Sequence, residues 1–172
     1  LERGRGIPLM TRDEAIAEMN RPDEEKYERV ELDQARVGTI VSFGRYEQDG
    51  DDANGPEPIE WIILTQFGNR ALLLSRDCLD AQYFNDDFGS APWESCSLRS
   101  WLNDAFLKAA FTEEEQARIF ATTNANTMAD GYPGLPANSN PTTDRVFLLS
   151  YKELTAFAGT ITIPGATAYA EA

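Results

Sequence analysis

The chain has 172 residues, which is enough to bury a core without a disulfide or a metal staple and fits one domain, or one domain with an arm. Its 29 acidic and 15 basic residues give a formal charge of −14, which argues against nucleic acid as a partner because phosphate backbones are bound by clustered Lys and Arg. The sequence has no histidine, which excludes Ser-His-Asp and Cys-His catalysis and most zinc sites, so we expect no tightly bound transition metal.

The first 36 residues are charged and poor in apolar side chains. We interpret 1–36 as an N-terminal arm and 37–172 as the main domain. Within the arm, Thr11 and Glu14 have the spacing of a capping box ahead of an apolar run, which predicts a short helix.

The main domain begins with three runs that are typical of strands. The β-branched, alternating run 38–44 predicts the first strand, and the runs 59–65 and 70–75 predict two more. Because the connection at Gly68 and Asn69 is so short, the second and third strands are expected to form an antiparallel hairpin.

Helical patterns dominate the second half. Ser97 is expected to cap a helix to about residue 111, whose apolar residues recur at spacings of three and four: Leu98, Trp101, Leu102, Ala105, Phe106 and Ala109. Thr112 and Glu115 form a second capping box and predict a helix to about residue 120. The remaining pattern predicts a loop over 121–143, a strand over 145–150, a helix to about 157, a weak strand over 160–163 and a final helical turn. The fold class is therefore α+β, a small antiparallel sheet with packed helices and long irregular loops.

The acidic, turn-rich loop 47–58 is the first candidate site. Its acids occupy positions 1, 3, 9 and 12 of a calcium-loop count, and calcium prefers such oxygen ligands: they are Asp49, Asp51, Glu57 and Glu60. The match fails at position 6, where Asn54 replaces the glycine, and a strand follows where a helix is required. We interpret the segment as a solvated hairpin loop, with a weak calcium site as the alternative and no other cofactor.

The second candidate site lies in the irregular stretch before the long helix. It combines aromatic rings with amide and carboxylate groups, as sugar-binding sites do, because a sugar offers an apolar face and a rim of hydroxyls: the residues are Tyr83, Asn85, Asp86, Trp93 and Glu94. Aromatic residues in long loops more often act as core plugs, which pack into the core and hold the loop against it. We favour this interpretation over a sugar-binding site.

Two pairs of residues have mainly structural interpretations. Arg99 and Asn103 are four apart on the long helix and are expected to bond to loops or to each other. Cys78 and Cys96 are neither a CxxC pair nor enough for a four-cysteine metal site, and two free thiols are favoured over a disulfide.

The chain resembles a bacterial family, domain of unknown function 6273. The resemblance is carried by residues 43–49, 58–61, 73–75, 93–103, 106 and 111–115, and most specifically by the run Ser-Leu-Arg-x-Trp-Leu-Asn at 97–103. It implies a relationship to the C-type-lectin-like fold and a setting in gut bacteria beside surface modules. The closing segments of the family pattern do not follow, so we expect an incomplete domain, with either a second polypeptide against residues 160–172 or disorder there.

We therefore expect a non-catalytic binding module for a glycan or a surface protein. The alternatives are a hydrolase that uses paired carboxylates and a structural interaction module without a small ligand. No apolar run approaches the ~20 residues of a membrane span, so we expect no membrane insertion. The resemblance to surface-associated domains favours an extracellular or cell-surface location.

Overall fold

The structure, a computed structural model, describes residues 28–87, 91–127, 139–159, 161 and 165–171. The helix predicted near Thr11, half of the predicted loop 121–143 and most of the predicted strand 160–163 lie outside these residues. Among the described residues, none of the helices has the length and apolar composition needed to cross a bilayer.

A four-stranded sheet forms the centre of the domain, in the order β1-β2-β3-β4. Its strands are β1 (Glu28–Arg29), β2 (Thr39–Tyr46), β3 (Glu57–Phe67) and β4 (Arg70–Ser75). Strands β2, β3 and β4 are antiparallel, and β1 adds a two-residue parallel edge beside β2. β1 belongs to the segment interpreted as an arm, and the domain boundary at residue 36 stays a prediction.

The β3–β4 hairpin has the predicted antiparallel pairing, with Phe67 opposite Arg70 across the Gly68–Asn69 turn. Strand β2 carries an irregularity that the sequence did not reveal, a register shift between Ser42 and Arg45. Gly44, inside this bulge, has a φ of 76°, a conformation that a side chain disfavours.

One continuous helix, which we call the central helix, covers the sheet. It runs as α1 (Ser97–Trp101), a π-helical turn (Leu102–Phe106) and α2 (Leu107–Ala110). The predicted packing of Leu98, Trp101, Leu102 and Phe106 on the sheet is confirmed.

Three details of the predicted helix were wrong. Ala105 and Ala109 are exposed, and Leu107 and Ala110 are buried instead, because the wide π turn holds an extra residue and shifts the apolar face by one position. Ser97 is the first helical residue and not the N-cap, since its hydroxyl accepts a hydrogen bond from the Asp86 amide.

Apolar side chains cover both faces of the sheet. Between the sheet and the central helix lies a cluster formed by Ile59, Leu79, Leu102, Phe106, Leu107, Ala110 and Phe111. Ile40, Ile62 and Leu64 form a second cluster with Leu149, Phe157 and Ile161. Because side chains alternate along a strand, Ile59 and Trp61 of β3 face the first cluster, and Ile62 and Leu64 face the second. The expected α+β class is confirmed.

The later elements are short. They are α3 (Glu113–Arg118), β5 (Thr122–Asn124), β6 (Thr142–Asp144), α4 (Tyr151–Phe157) and α5 (Ala168–Glu171). The predicted capping box of Thr112 and Glu115 is present, and β5 pairs with β6 in a separate two-stranded sheet.

The strand predicted over 145–150 was wrong, since the strand ends at Asp144. The backbone of the next two residues bonds to an amide side chain and not to another strand. The Asn103 carboxamide accepts from the amides of Arg145 and Val146 and donates to the carbonyl of Val146. Ser150 then caps α4 with Glu153.

Candidate functional site

The predicted aromatic site is divided between interior and surface. Trp93 is half-buried, and its indole nitrogen donates to Asp144 over 3.1 Å, so the interpretation as a core plug is confirmed for this residue. Tyr83 is 66% exposed. Asn85 donates to Asp87, and Glu94 bonds through its backbone to Ser139 and Arg99. Asp86 bonds through its backbone amide to Ser97.

Asp144 is the centre of a polar network beneath this stretch. Its side chain has no exposed surface and accepts hydrogen bonds from four donors: Thr142, Arg99, Trp93 and Asn124. Burial raises the pKa of Asp144, but the hydrogen bonds from these donors outweigh burial and hold the pKa below its ordinary value. The network joins the central helix to β5 and β6, so it is a structural clamp.

Arg99 and Asn103 have the structural role that was predicted for them. Arg99 bonds to Asp144 and to the carbonyl of Glu94. Asn103 donates to the carbonyl of Arg99, four residues earlier, as well as to Val146. The motif Ser-Leu-Arg-x-Trp-Leu-Asn therefore serves packing and clamping.

The acidic loop brings carboxylates together at its base. Oxygens of Glu47, Asp49 and Glu57 all lie within 4.8 Å of one another, close enough to serve as hard ligands for a calcium ion. Hydrogen bonds from Asn54 and from the Asp51 amide hold the pKa of Asp49 below its ordinary value. Three carboxyl groups this close together favour a cation.

The predicted calcium set is only partly gathered here. Asp49 and Glu57 are together, whereas the Asp51 carboxylate accepts from the Ala53 amide inside the loop. Glu60 lies on β3 and pairs with Arg29 and Arg76. Glu47 was not predicted, because the acids were counted from Asp49 along the type of calcium-binding loop that precedes a helix. The pairing of Tyr46 with Glu57 in the hairpin register would have placed Glu47 beside Glu57.

Beside the acidic loop lies a cleft of about 350 Å³, which we call the tyrosine cleft. It is lined by Tyr46, Glu47, Asp52, Gly55, Pro56, Ala109 and Tyr169. The rings of Tyr46 and Tyr169 meet edge to face, with centroids 5.8 Å apart. The hydroxyl of Tyr46 donates to Asp80, and burial together with this carboxylate raises the pKa of Tyr46. Tyr46 therefore stays neutral, with its ring held in place.

One wall of the cleft comes from residues 165–171, which we call the C-terminal strap. Its backbone bonds with Cys78 on both sides of a parallel bridge, and the Tyr169 amide donates to the carbonyl of Gln48 over 3.1 Å. Thr167 also donates its hydroxyl to the carbonyl of Leu79 and accepts from the amide of Ala170. Contact of residues 160–172 with a second polypeptide, or disorder there, stays a prediction.

Both thiols are free, as predicted. Cys78 is exposed and Cys96 is buried, with its sulfur 3.4 Å from the carbonyl of Trp93. Cys78 takes part in the tyrosine cleft only indirectly, through the backbone hydrogen bonds that hold the strap.

Comparison with known proteins places the chain in a family. No curated protein matches it, and no solved structure does. Residues 68–170, more than half of the chain, match the profile of a family described as Domain of unknown function (DUF6273). The matched region contains the central helix, the Asp144 clamp and the C-terminal strap up to Ala170. The chain is therefore a member of the DUF6273 family.

Proposed function

We propose that this domain is a non-catalytic binding module, which takes a glycan or a protein ligand in the tyrosine cleft. The observation that carries the proposal is the meeting of two tyrosine rings with Glu47 and Asp52 at one concave surface. Ligand sites combine an apolar or aromatic wall with a few polar groups that fix orientation, and this cleft has both.

Four described carboxyl groups are held in the anionic form, which suits binding better than proton donation. A hydrolase with two carboxyl groups needs one of them kept protonated near neutral pH by a raised pKa. Four described carboxyl groups have a pKa held below its ordinary value: Asp49, Glu60, Glu115 and Asp144. They are suited to remain anions and not to donate a proton.

A pair of tyrosine variants tests the proposal. Wild-type protein is titrated by calorimetry with the ligands that shift its melting temperature in a screen of glycans and surface-protein fragments. Tyr169→Ala removes one wall of the cleft and is expected to weaken binding at least about tenfold, which corresponds to 1.4 kcal/mol. Tyr151→Ala is the matched control, since Tyr151 is similarly exposed on α4 and does not line the cleft.

Two outcomes would contradict this function. Equal weakening by Tyr169→Ala and Tyr151→Ala would place binding elsewhere or show a general loss of stability. Turnover of a glycan that is abolished by Asp86→Asn or Glu94→Gln would instead establish the carboxylate hydrolase.

We also propose a weak calcium site in the acidic loop, formed by Glu47, Asp49 and Glu57. The support is the 4.8 Å grouping of their oxygens. Calcium titration by calorimetry should show binding in the range of about 10⁻⁴–10⁻³ M that is typical of extracellular modules. Asp49→Asn should abolish it, and Glu114→Gln, on the exposed face of α3, should not. Equal binding by wild type and Asp49→Asn would rule the site out.

A further inference from the structure

The acidic loop is unbalanced in charge. Residues 47–57 contain five carboxylates and no Lys or Arg: Glu47, Asp49, Asp51, Asp52 and Glu57. The ion pairs found in the described part of the chain involve other acids, namely Glu28, Glu60, Asp77, Asp104 and Asp144. The guanidinium of Arg45, which precedes the loop in the chain, donates to the carbonyl of Pro56.

Four carboxylates of this loop accept hydrogen bonds from neutral donors. Glu47 accepts from the Gly50 amide over 2.7 Å, and Glu57 accepts from the Gln48 amide over 2.8 Å. Such bonds shape the loop but leave its negative charge in place. Because each carboxylate offers about four acceptor positions, these groups can still receive charged donors from outside.

The geometry of the tyrosine cleft also favours a positively charged ligand. Glu47 and Asp52 line the same concavity as the rings of Tyr46 and Tyr169, and Pro56 and Ala109 add apolar surface. Aromatic rings attract cations through their quadrupole, and an apolar wall accommodates the aliphatic stem of a long side chain. The volume of about 350 Å³ lies near the lower end of the ~300–1,000 Å³ of ligand pockets, which suits a single side chain.

We infer that the tyrosine cleft binds a lysine or arginine side chain presented by a basic segment of a protein partner. This inference rests on the proposed binding function and narrows its ligand class. Charge complementarity selects this occupant, since Glu47 and Asp52 line the cleft and attract a cationic side chain, whereas an acidic glycan would be repelled.

A pair of synthetic peptides tests the inference. One is a short fluorescent peptide of arginine, serine and glycine, and the other has citrulline at every arginine position. Citrulline keeps the shape of arginine and removes its charge. By fluorescence anisotropy, the arginine peptide should bind at least about tenfold more tightly than the citrulline peptide. Its affinity should fall as the ionic strength rises from about 0.01 M to about 1 M, which shortens the Debye length from about 30 Å to about 3 Å.

Variants separate the cleft from general attraction to an acidic protein. Glu47→Gln and Asp52→Asn should each weaken the arginine peptide severalfold, and Tyr169→Leu should do the same without a change in charge. Glu114→Gln changes the net charge equally but lies on α3, outside the cleft, and should leave the affinity nearly unchanged. Melting curves of each variant check that the fold is retained.

The possible outcomes distinguish failure of this inference from failure of the proposed binding function. Equal binding of the two peptides, or equal weakening by Glu114→Gln and Asp52→Asn, would overturn the inference. A glycan that binds and is lost in Tyr169→Leu, but is insensitive to salt and to Asp52→Asn, would overturn the inference and retain the binding function. A wild-type protein that binds no peptide and no glycan would refute both.

Discussion

Arg99 and Asp144 are 45 residues apart in the sequence, yet the guanidinium Nε lies 2.7 Å from a carboxylate oxygen of a side chain with no exposed surface. Removing one partner of a buried ion pair leaves an uncompensated charge and costs about 3–5 kcal/mol. Because Asp144 keeps three other donors, Arg99→Met should lower the free energy of unfolding by about 3 kcal/mol in urea titrations.

Lys108 provides the matched control for that prediction. It pairs with Asp104, and both side chains are more than two-thirds exposed, at 68% and 69%. Exposed helical pairs of this spacing contribute about 0.3–0.5 kcal/mol, so Lys108→Met should change stability very little. Equal losses in the two variants would show that Arg99 does not act through a buried pair.

The same carboxylate makes stability depend on pH at the acidic end. The pKa of Asp144 is lower in the folded state than the ordinary 3.8, because four hydrogen bonds outweigh burial. Its contribution is therefore fully present above the unfolded pKa and is lost as the pH falls through the lower folded pKa. Urea unfolding between neutral pH and pH values below 3.8 should show this loss in wild type and a smaller loss in Asp144→Asn. Parallel curves for the two proteins would contradict the assignment.

Among the described glycines, Gly44 in β2 has the most crowded Cβ position. A Cβ built on it would lie 2.5 Å from the Phe111 ring, and its φ is 76°. Gly44→Ala should cost the backbone strain of about 1–3 kcal/mol and a steric term from Phe111 in addition. Gly50 has nearly the same φ of 78° but no atom within 4 Å of its Cβ position, so Gly50→Ala isolates the strain alone. Unfolding free energies that are lowered equally by the two variants would show that Phe111 yields without cost.

Trp101 tests the packing of the central helix. Its ring centroid lies 5.3 Å from that of Phe106, and it is half-buried against the main cluster. Trp101→Ala should cost about 3 kcal/mol, the lower end for a large aromatic residue in a core. Phe67→Ala, at a side chain that is 74% exposed, should have little effect in the same chemical denaturation experiment. A mild effect at Trp101 would mean that its partners close the space it leaves.

The C-terminal strap depends on the hydroxyl of Thr167. Thr167→Val removes the bonds to Leu79 and Ala170, and the strap amides of Thr167 and Tyr169 should exchange faster with deuterium. The matched substitution Thr155→Val, on exposed α4, removes a single bond to the carbonyl of Lys152. It should leave exchange in the strap unchanged, and an equal increase in both variants would point to global destabilisation.

Local chemistry explains what was predictable from the sequence. The short turn at Gly68 and Asn69 specified the β3–β4 hairpin, and the box of Thr112 and Glu115 specified the start of α3. These signals act between residues that are near in the chain. The apolar spacing also identified the central helix and its contacts through Phe106, before the π turn changed the phase.

Long-range contacts explain what was missed. The strand predicted at 145–150 does not form, because the amides of Arg145 and Val146 donate to the side chain of Asn103, which belongs to the central helix. The tyrosine cleft was invisible for the same reason, since Tyr46 and Tyr169 come from opposite ends of the described chain. The two-residue strand β1 has too little pattern of its own to be recognised.

The π-helical turn at Leu102–Phe106 gives the central helix one place where its length can change. A wide turn of this kind holds one residue more than a regular α-helical turn, so losing one residue here would restore regular spacing and keep α2 on the sheet. Losing one residue within α2 would instead turn the residues that follow it by about 100°, and Phe111 would leave the Gly44 bulge. A related chain that is one residue shorter between Leu102 and Phe106 is therefore expected to keep the same packing.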